Sequence, residues 1–156
     1  MSNVTHAIMF ALHVLSAVIW VGGMFFAYMA LRPAAARLLE PPQRLPLWSA
    51  SFARFFPWVW VAVVVLLGTG YAMIFGVFGG MAHTPVRVHV MQGLGILMML
   101  IYFHVFFAPY RRMNQAIDAR DFKEAGRRLG QIRKLIGLNL ILGLIVVAVA
   151  SGGLYW

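Results

Sequence analysis

Four long apolar runs separated by short polar stretches make up most of this 156-residue chain. They cover residues 5–31, 55–78, 86–110 and 135–156. Each is long enough for an α-helix to cross a bilayer, which takes roughly 20 residues. The pattern predicts an all-α integral membrane protein: a single domain, residues 1–156, folded as a four-transmembrane-helix bundle with little outside the lipid. The first run is too long for a signal-peptide core, has no basic residue before it and is followed by Arg32, so it reads as a retained span.

The polar stretches differ in kind. Between spans one and two, Arg32-Pro33, Pro41-Pro42 and Pro46 predict a short, irregular, non-helical connection. Between spans three and four, Asp121-Phe-Lys-Glu124 has the spacing of a capping box, and residues 125–135 are good helix formers. A short basic helix leading into span four is expected there, its charged face meeting anionic headgroups.

Composition agrees: 11% of residues are charged, 62% are hydrophobic, and the mean hydropathy is +0.83. The net charge of +9 would suit a nucleic-acid partner, but its distribution argues against one. Twelve of the thirteen basic residues lie in or beside the first and third connections, and only Arg87 lies elsewhere. With four spans those connections share one side, which the positive-inside rule places in the cytoplasm. Both termini and the 79–86 loop then face the outer, periplasmic side of a bacterial inner membrane.

The side-chain inventory excludes several chemistries. With no cysteine, thiolate metal sites, iron–sulfur clusters and disulfides are absent. The four acids, Glu40, Asp118, Asp121 and Glu124, all fall in the basic connections. No span therefore carries a carboxylate for acid–base work or a proton relay. Trp48, Trp58 and Trp60 near the inner end of span two, and Tyr155-Trp156 at the outer end of span four, read as interfacial anchors. The glycines at 22, 23, 68, 70, 93, 95, 137 and 143 allow close helix approach or leave room for a flat ligand, and both readings stay open.

Histidines inside the spans are the informative polar residues, because an unpartnered imidazole is costly in hydrocarbon. At 1.5 Å of rise per residue, His13 and His89 differ in depth by roughly 7 Å, and His13 and His104 by about 15 Å. One metal is thus within reach of His13 and His89 but not of His13 and His104. His104 is expected to pair with Asn139 in span four. His6 and His83 read as interfacial. His6, His13 and Trp20 share a helix face. Arg87, two residues before His89, offers a cation for a carboxylate such as a haem propionate, or else snorkels to headgroups. Gly93, one turn below His89, leaves space for a ring edge. Copper is the alternative, through Met81, His83, His89 and Met91, since thioether and imidazole ligands suit that metal.

Leu12-His13 through Trp20-Val-Gly-Gly23, Leu31-Arg32-Pro33, Phe52-Ala-Arg54-Phe and Leu67-Gly-Thr-Gly70 resemble the CopD-like copper-resistance membrane proteins. The related HemJ-type protoporphyrinogen oxidases are similar in the first-helix motif and in a histidine at the start of the third helix, matched by His89. The resemblance implies a four-helix bundle with b-type haem or a role in periplasmic copper handling, and it implies His13 and His89 as haem ligands. The HemJ pattern has a lysine where this chain has Met91, which counts against protoporphyrinogen oxidation but not against haem binding.

The leading expectation is therefore haem b between spans one and three, on His13 and His89 with Arg87, Trp20 and Gly93 around it. The function would be electron transfer or a membrane oxidoreductase activity. Copper handling without haem is the second expectation, and a structural or assembly subunit the third. The partners this admits are the lipid bilayer, a redox protein or quinone, and further copies of the chain.

Overall fold

The computed structural model describes residues 2–153, so Tyr155 and Trp156 lie outside the described residues. Six α-helices run in order: α1 (Asn3–Phe26), α2 (Arg32–Leu38), α3 (Pro41–Gly76), α4 (Val86–Val105), α5 (Arg111–Asp118) and α6 (Phe122–Gly152). Single π-helical turns, Ala27–Leu31 and Phe106–Tyr110, join α1 to α2 and α4 to α5. The result is four continuous rods, each long and apolar enough to span a membrane: Asn3–Leu38, Pro41–Gly76, Val86–Asp118 and Phe122–Gly152. The protein is an all-α, multi-pass membrane bundle.

The proline-rich connection departs from expectation. Apart from Leu39 and Glu40 it is helical: Pro41 and Pro42 occupy the first turn of α3, and Pro46 lies inside that helix. The first-turn N–H groups have no intrahelical partner, so proline loses nothing there and its fixed φ favours the helix. The other connection follows its sequence. Asp121 Oδ1 accepts from Glu124 N at 3.0 Å, and α6 then runs without a break into the membrane. Glu124 does not complete a capping box; its carboxylate pairs with Arg127 and Arg128 one turn on.

α1 lies antiparallel along α3, and α4 along α6. α1 and α3 approach closely at Gly23, where a Cβ would collide with the Phe55 ring. The half of the bundle near the basic connections, here the basic end, is filled by aromatic rings. Trp48, Phe52, Phe56, Trp60, Tyr102 and Phe106 are joined by ring contacts with centroids 4.9–6.1 Å apart in which Tyr110 also takes part. Trp48 is buried and Trp60 half-buried, so neither is the interfacial anchor expected; Trp58, 60% exposed, keeps that reading. The helix packs rings every fourth residue, and this periodicity draws Trp48 and Trp60 inward while turning Trp58 out.

The two π turns match position by position. Each begins five residues before an arginine, and its second residue is a ring under that guanidinium: Arg32 over Tyr28 at 4.8 Å, Arg111 over Phe107 at 5.8 Å. Each turn widens the helix by one residue and re-aims the following basic segment. At the opposite, terminal end, Gly79 and Gly80 adopt φ of 75° and 118°, which glycine reaches without a Cβ penalty, and close the loop between α3 and α4.

Candidate functional site

Polar side chains of the terminal half, Tyr71 exposed among them, form a belt across three helices. His13 on α1 is half-buried on the same face as buried Ser16 and Trp20. Its Nδ1 lies 2.8 Å from Thr69 Oγ1 on α3. The Thr69 hydroxyl is itself 2.6 Å from the Val65 carbonyl oxygen, to which only it can donate. A hydroxyl has one proton, so toward His13 it accepts. His13 therefore carries its proton on Nδ1, and in the neutral ring Nε2 keeps a free lone pair. A partner that fixes the tautomer in this way is the usual support of a metal-ligating imidazole. Gly70 lies beside the ring: a Cβ there would meet His13 Cε1 at 3.4 Å, ordinary van der Waals contact.

Two residues along α3, Tyr71 Oη accepts from Gln92 Nε2 of α4 at 2.8 Å. His89 stands one turn beyond Gln92 toward the terminal end. Two residues along α3 and three back along α4 place His89 roughly 7 Å farther out than His13, at 1.5 Å per residue. His89 is exposed, as is Gly93 one turn below it, and nothing lies within 4 Å of a Cβ placed at Gly93.

The remaining candidates are scattered. Trp20 is buried edge-on against Tyr102, centroids 6.1 Å apart, in the aromatic core rather than beside His13. Arg87 Nη1 donates to the Gly153 carbonyl at 3.2 Å, capping the end of α6. Met81 and His83 are exposed on a one-turn 3₁₀ helix, Met81–His83. Met91 is half-buried, while His89, two residues away on α4, is exposed; residues so spaced do not face the same way. Among the described residues no three His, Asp or Glu side chains gather as a metal site.

The expected His104–Asn139 pair does not form. His104 is exposed, whereas Asn139 is buried and donates through Nδ2 to the Met98 carbonyl at 3.2 Å. Among the described residues Asn139 Oδ1 has no partner. Equal depth brings two residues together only if both also point into the same gap, and His104 points out of the bundle.

Thr69, Tyr71 and Gln92 were not singled out from sequence. Their signal was available, since each is a hydrogen-bonding side chain within an apolar run. Two methionines were missed as well. Met9 stands one turn from His13 on the same face of α1, and Met73 one turn from Thr69 on α3. Both are half-buried, and both are displaced toward the terminal end.

Comparison with curated proteins and with solved structures finds no match. A protein-family model, described as "Copper resistance protein D", matches residues 49–152. The matched stretch holds Thr69, Tyr71, His89 and Gln92, together with the Phe52–Phe55 and Leu67–Gly70 segments noted from sequence, while His13 and Trp20 precede it. It spans α3 to α6, well over half of the chain, and on that ground the protein belongs to the CopD copper-resistance family.

Proposed function

We propose that the protein handles copper ions in a bacterial inner membrane, with its basic end in the cytoplasm and its termini outside. His13 is the central ligand, through Nε2. The observation that carries this is the hydrogen bond from His13 Nδ1 to Thr69, which leaves the other ring nitrogen free. Met9 and Met73 stand one turn outward of that imidazole on the facing helices, and thioether sulfur with imidazole favours Cu(I). The chain has no cysteine, so methionine and histidine are its soft and borderline ligands. Copper would arrive from the outer side through the exposed histidines and methionine at that end, His89, His83 and Met81. Family membership supports copper as the ion.

Haem b on His13 and His89 is the second reading. The open surface at Gly93, one turn from His89, favours it, since a flat ring needs such a gap. Arg87, already bonded to Gly153, keeps further N–H groups for a propionate. Haem bound there would supply one-electron chemistry, with a quinone or redox protein as partner.

One experiment separates the two. The protein is purified in detergent, its metals are measured, and its absorption spectrum is recorded with and without Cu(I). About one copper per chain, no Soret band, and loss of copper in His13→Ala support the copper reading. A Soret band lost in both His13→Ala and His89→Ala would replace it with haem. Unchanged copper binding in His13→Ala would reject His13 as the ligand.

A further inference from the structure

Away from the polar belt, at the basic end, a cavity of about 190 Å³ opens between the end of the first rod, the start of α3 and the start of α6. Three guanidinium groups from three helices line it: Arg32, Arg44 and Arg133. Among the described residues the only ion pairs join Glu124 to Arg127 and Arg128, so none of the three is neutralised by a carboxylate. Glu40, the nearest acid in sequence, caps α3 through its backbone and is exposed. No acidic side chain lines the cavity.

Three unpaired like charges around one space repel each other, and an anion between them relieves that repulsion. The backbone adds to this. α3 and α6 both present their N-terminal ends to the cavity, through Pro41, Arg44 and Leu45 and through Phe122 and Gly126, and helix N-termini carry partial positive charge. Gly126 and Gly130 line the α6 side without side chains, and nothing lies within 4 Å of a Cβ placed at either. A multi-oxygen anion such as a phosphate suits such a site, because each planar guanidinium can donate two parallel hydrogen bonds to a pair of its oxygens.

The cavity also has an apolar annex. Arg32, Trp48, Leu129 and Arg133 line both it and a shallow crevice that runs toward the membrane centre along Ala27, Tyr28, Phe52 and Ile136. The crevice exposes no polar surface. Charge at the mouth and hydrocarbon below is the polarity of a lipid standing in a leaflet.

We propose that this cavity is a specific phosphate site, filled by the headgroup of an anionic phospholipid whose acyl chains stand in the surrounding leaflet. Arg44 and Arg133 grip the phosphate. Arg32, already stacked over Tyr28, holds its third side and links occupancy to the π turn that ends α1. The lipid thereby ties the first rod, α3 and α6 together at the end of the bundle opposite His13.

Lipid binding to the purified full-length chain tests this by native mass spectrometry and thermal melting, independently of any metal. The probes are phosphatidylglycerol, phosphatidylcholine and inorganic phosphate. Phosphatidylglycerol is expected to bind at one saturable site and raise the melting temperature, and phosphatidylcholine is not. Arg44→Gln and Arg133→Gln should each weaken that binding roughly five- to tenfold, as one lost charge-assisted contact does. Arg133 is exposed and forms no side-chain hydrogen bond or ion pair among the described residues, so its variant keeps the fold. Arg112→Gln, on the same end but away from the cavity, should bind as the parent does. Equal losses in Arg112→Gln and Arg133→Gln would mean diffuse surface attraction and overturn the site. Inorganic phosphate giving the full stabilisation, with no gain from lipid, would overturn the lipid assignment.

Discussion

His13 Nδ1 and Thr69 Oγ1 face each other at 2.8 Å across the α1–α3 interface, and the hydroxyl proton is committed to the Val65 carbonyl. This pair orients the imidazole and sets its tautomer before any ligand arrives. It also satisfies two polar groups that would otherwise be stranded between apolar helices.

Thr69→Val keeps the shape of the side chain and removes the acceptor. The ring then lacks a partner at Nδ1 and turns freely between tautomers. Copper affinity, measured by competition with a Cu(I) chelator, should fall roughly 10- to 100-fold, as it does when the outer hydrogen bond of a ligating histidine is lost. Thr69→Ser should restore it, since serine can make the same two bonds. A valine variant with parental affinity would remove the basis for Nε2 ligation.

The spans and their number were legible in the chain, because apolar length is a local property. So was the Asp121 cap, a matter of three-residue spacing. What the sequence could not carry is helix rotation. Trp48 and Trp60 have the composition of interfacial anchors, yet their phase on α3 turns them into the ring cluster. Gln92 and Tyr71 look like unrelated polar residues until α3 and α4 bring them to 2.8 Å. The prolines at 41 and 42 read as breakers because their effect depends on whether they fall inside a helix or in its first turn.

Met9 and Met73 distinguish the inner ligand set from the outer one. Met→Leu nearly conserves volume, so folding should change by less than about 1.5 kcal/mol. Under His13-centred binding, Met9→Leu and Met73→Leu each weaken Cu(I) binding, and the pair together weakens it further. Met81→Leu and Met91→Leu leave equilibrium affinity unchanged. Chelator competition on the four variants decides this, and loss confined to the variants at 81 and 91 would assign the ion to the outer residues instead.

Gly23 should be the least replaceable glycine in the first rod. Its missing Cβ is where the Phe55 ring sits, so Gly23→Ala must push α1 away from α3 or displace the ring. The expected cost is about 1–3 kcal/mol, typical of overpacking a tight contact. Gly22, with nothing within 4 Å of its own Cβ position, provides the control. Gly22→Ala should leave thermal stability in detergent unchanged, and equal losses at both positions would show that helix flexibility, not packing, is at stake.

Asn139 and His104 test the role of rotation directly. At similar depth they look like partners, but His104 is exposed and Asn139 is bonded to the Met98 carbonyl. A double-mutant cycle between them should give a coupling energy near zero, within about 0.5 kcal/mol, as for independent sites. His104→Ala alone should be almost silent. Asn139→Leu has opposing effects: it loses one hydrogen bond, but it also removes Oδ1, a buried acceptor with no partner. Replacing a half-satisfied amide by an apolar group of similar size is near neutral or stabilising. Melting temperature should therefore hold or rise in Asn139→Leu. A drop corresponding to more than about 2 kcal/mol would mean that Oδ1 holds a bridging water, the one arrangement in which the whole amide contributes.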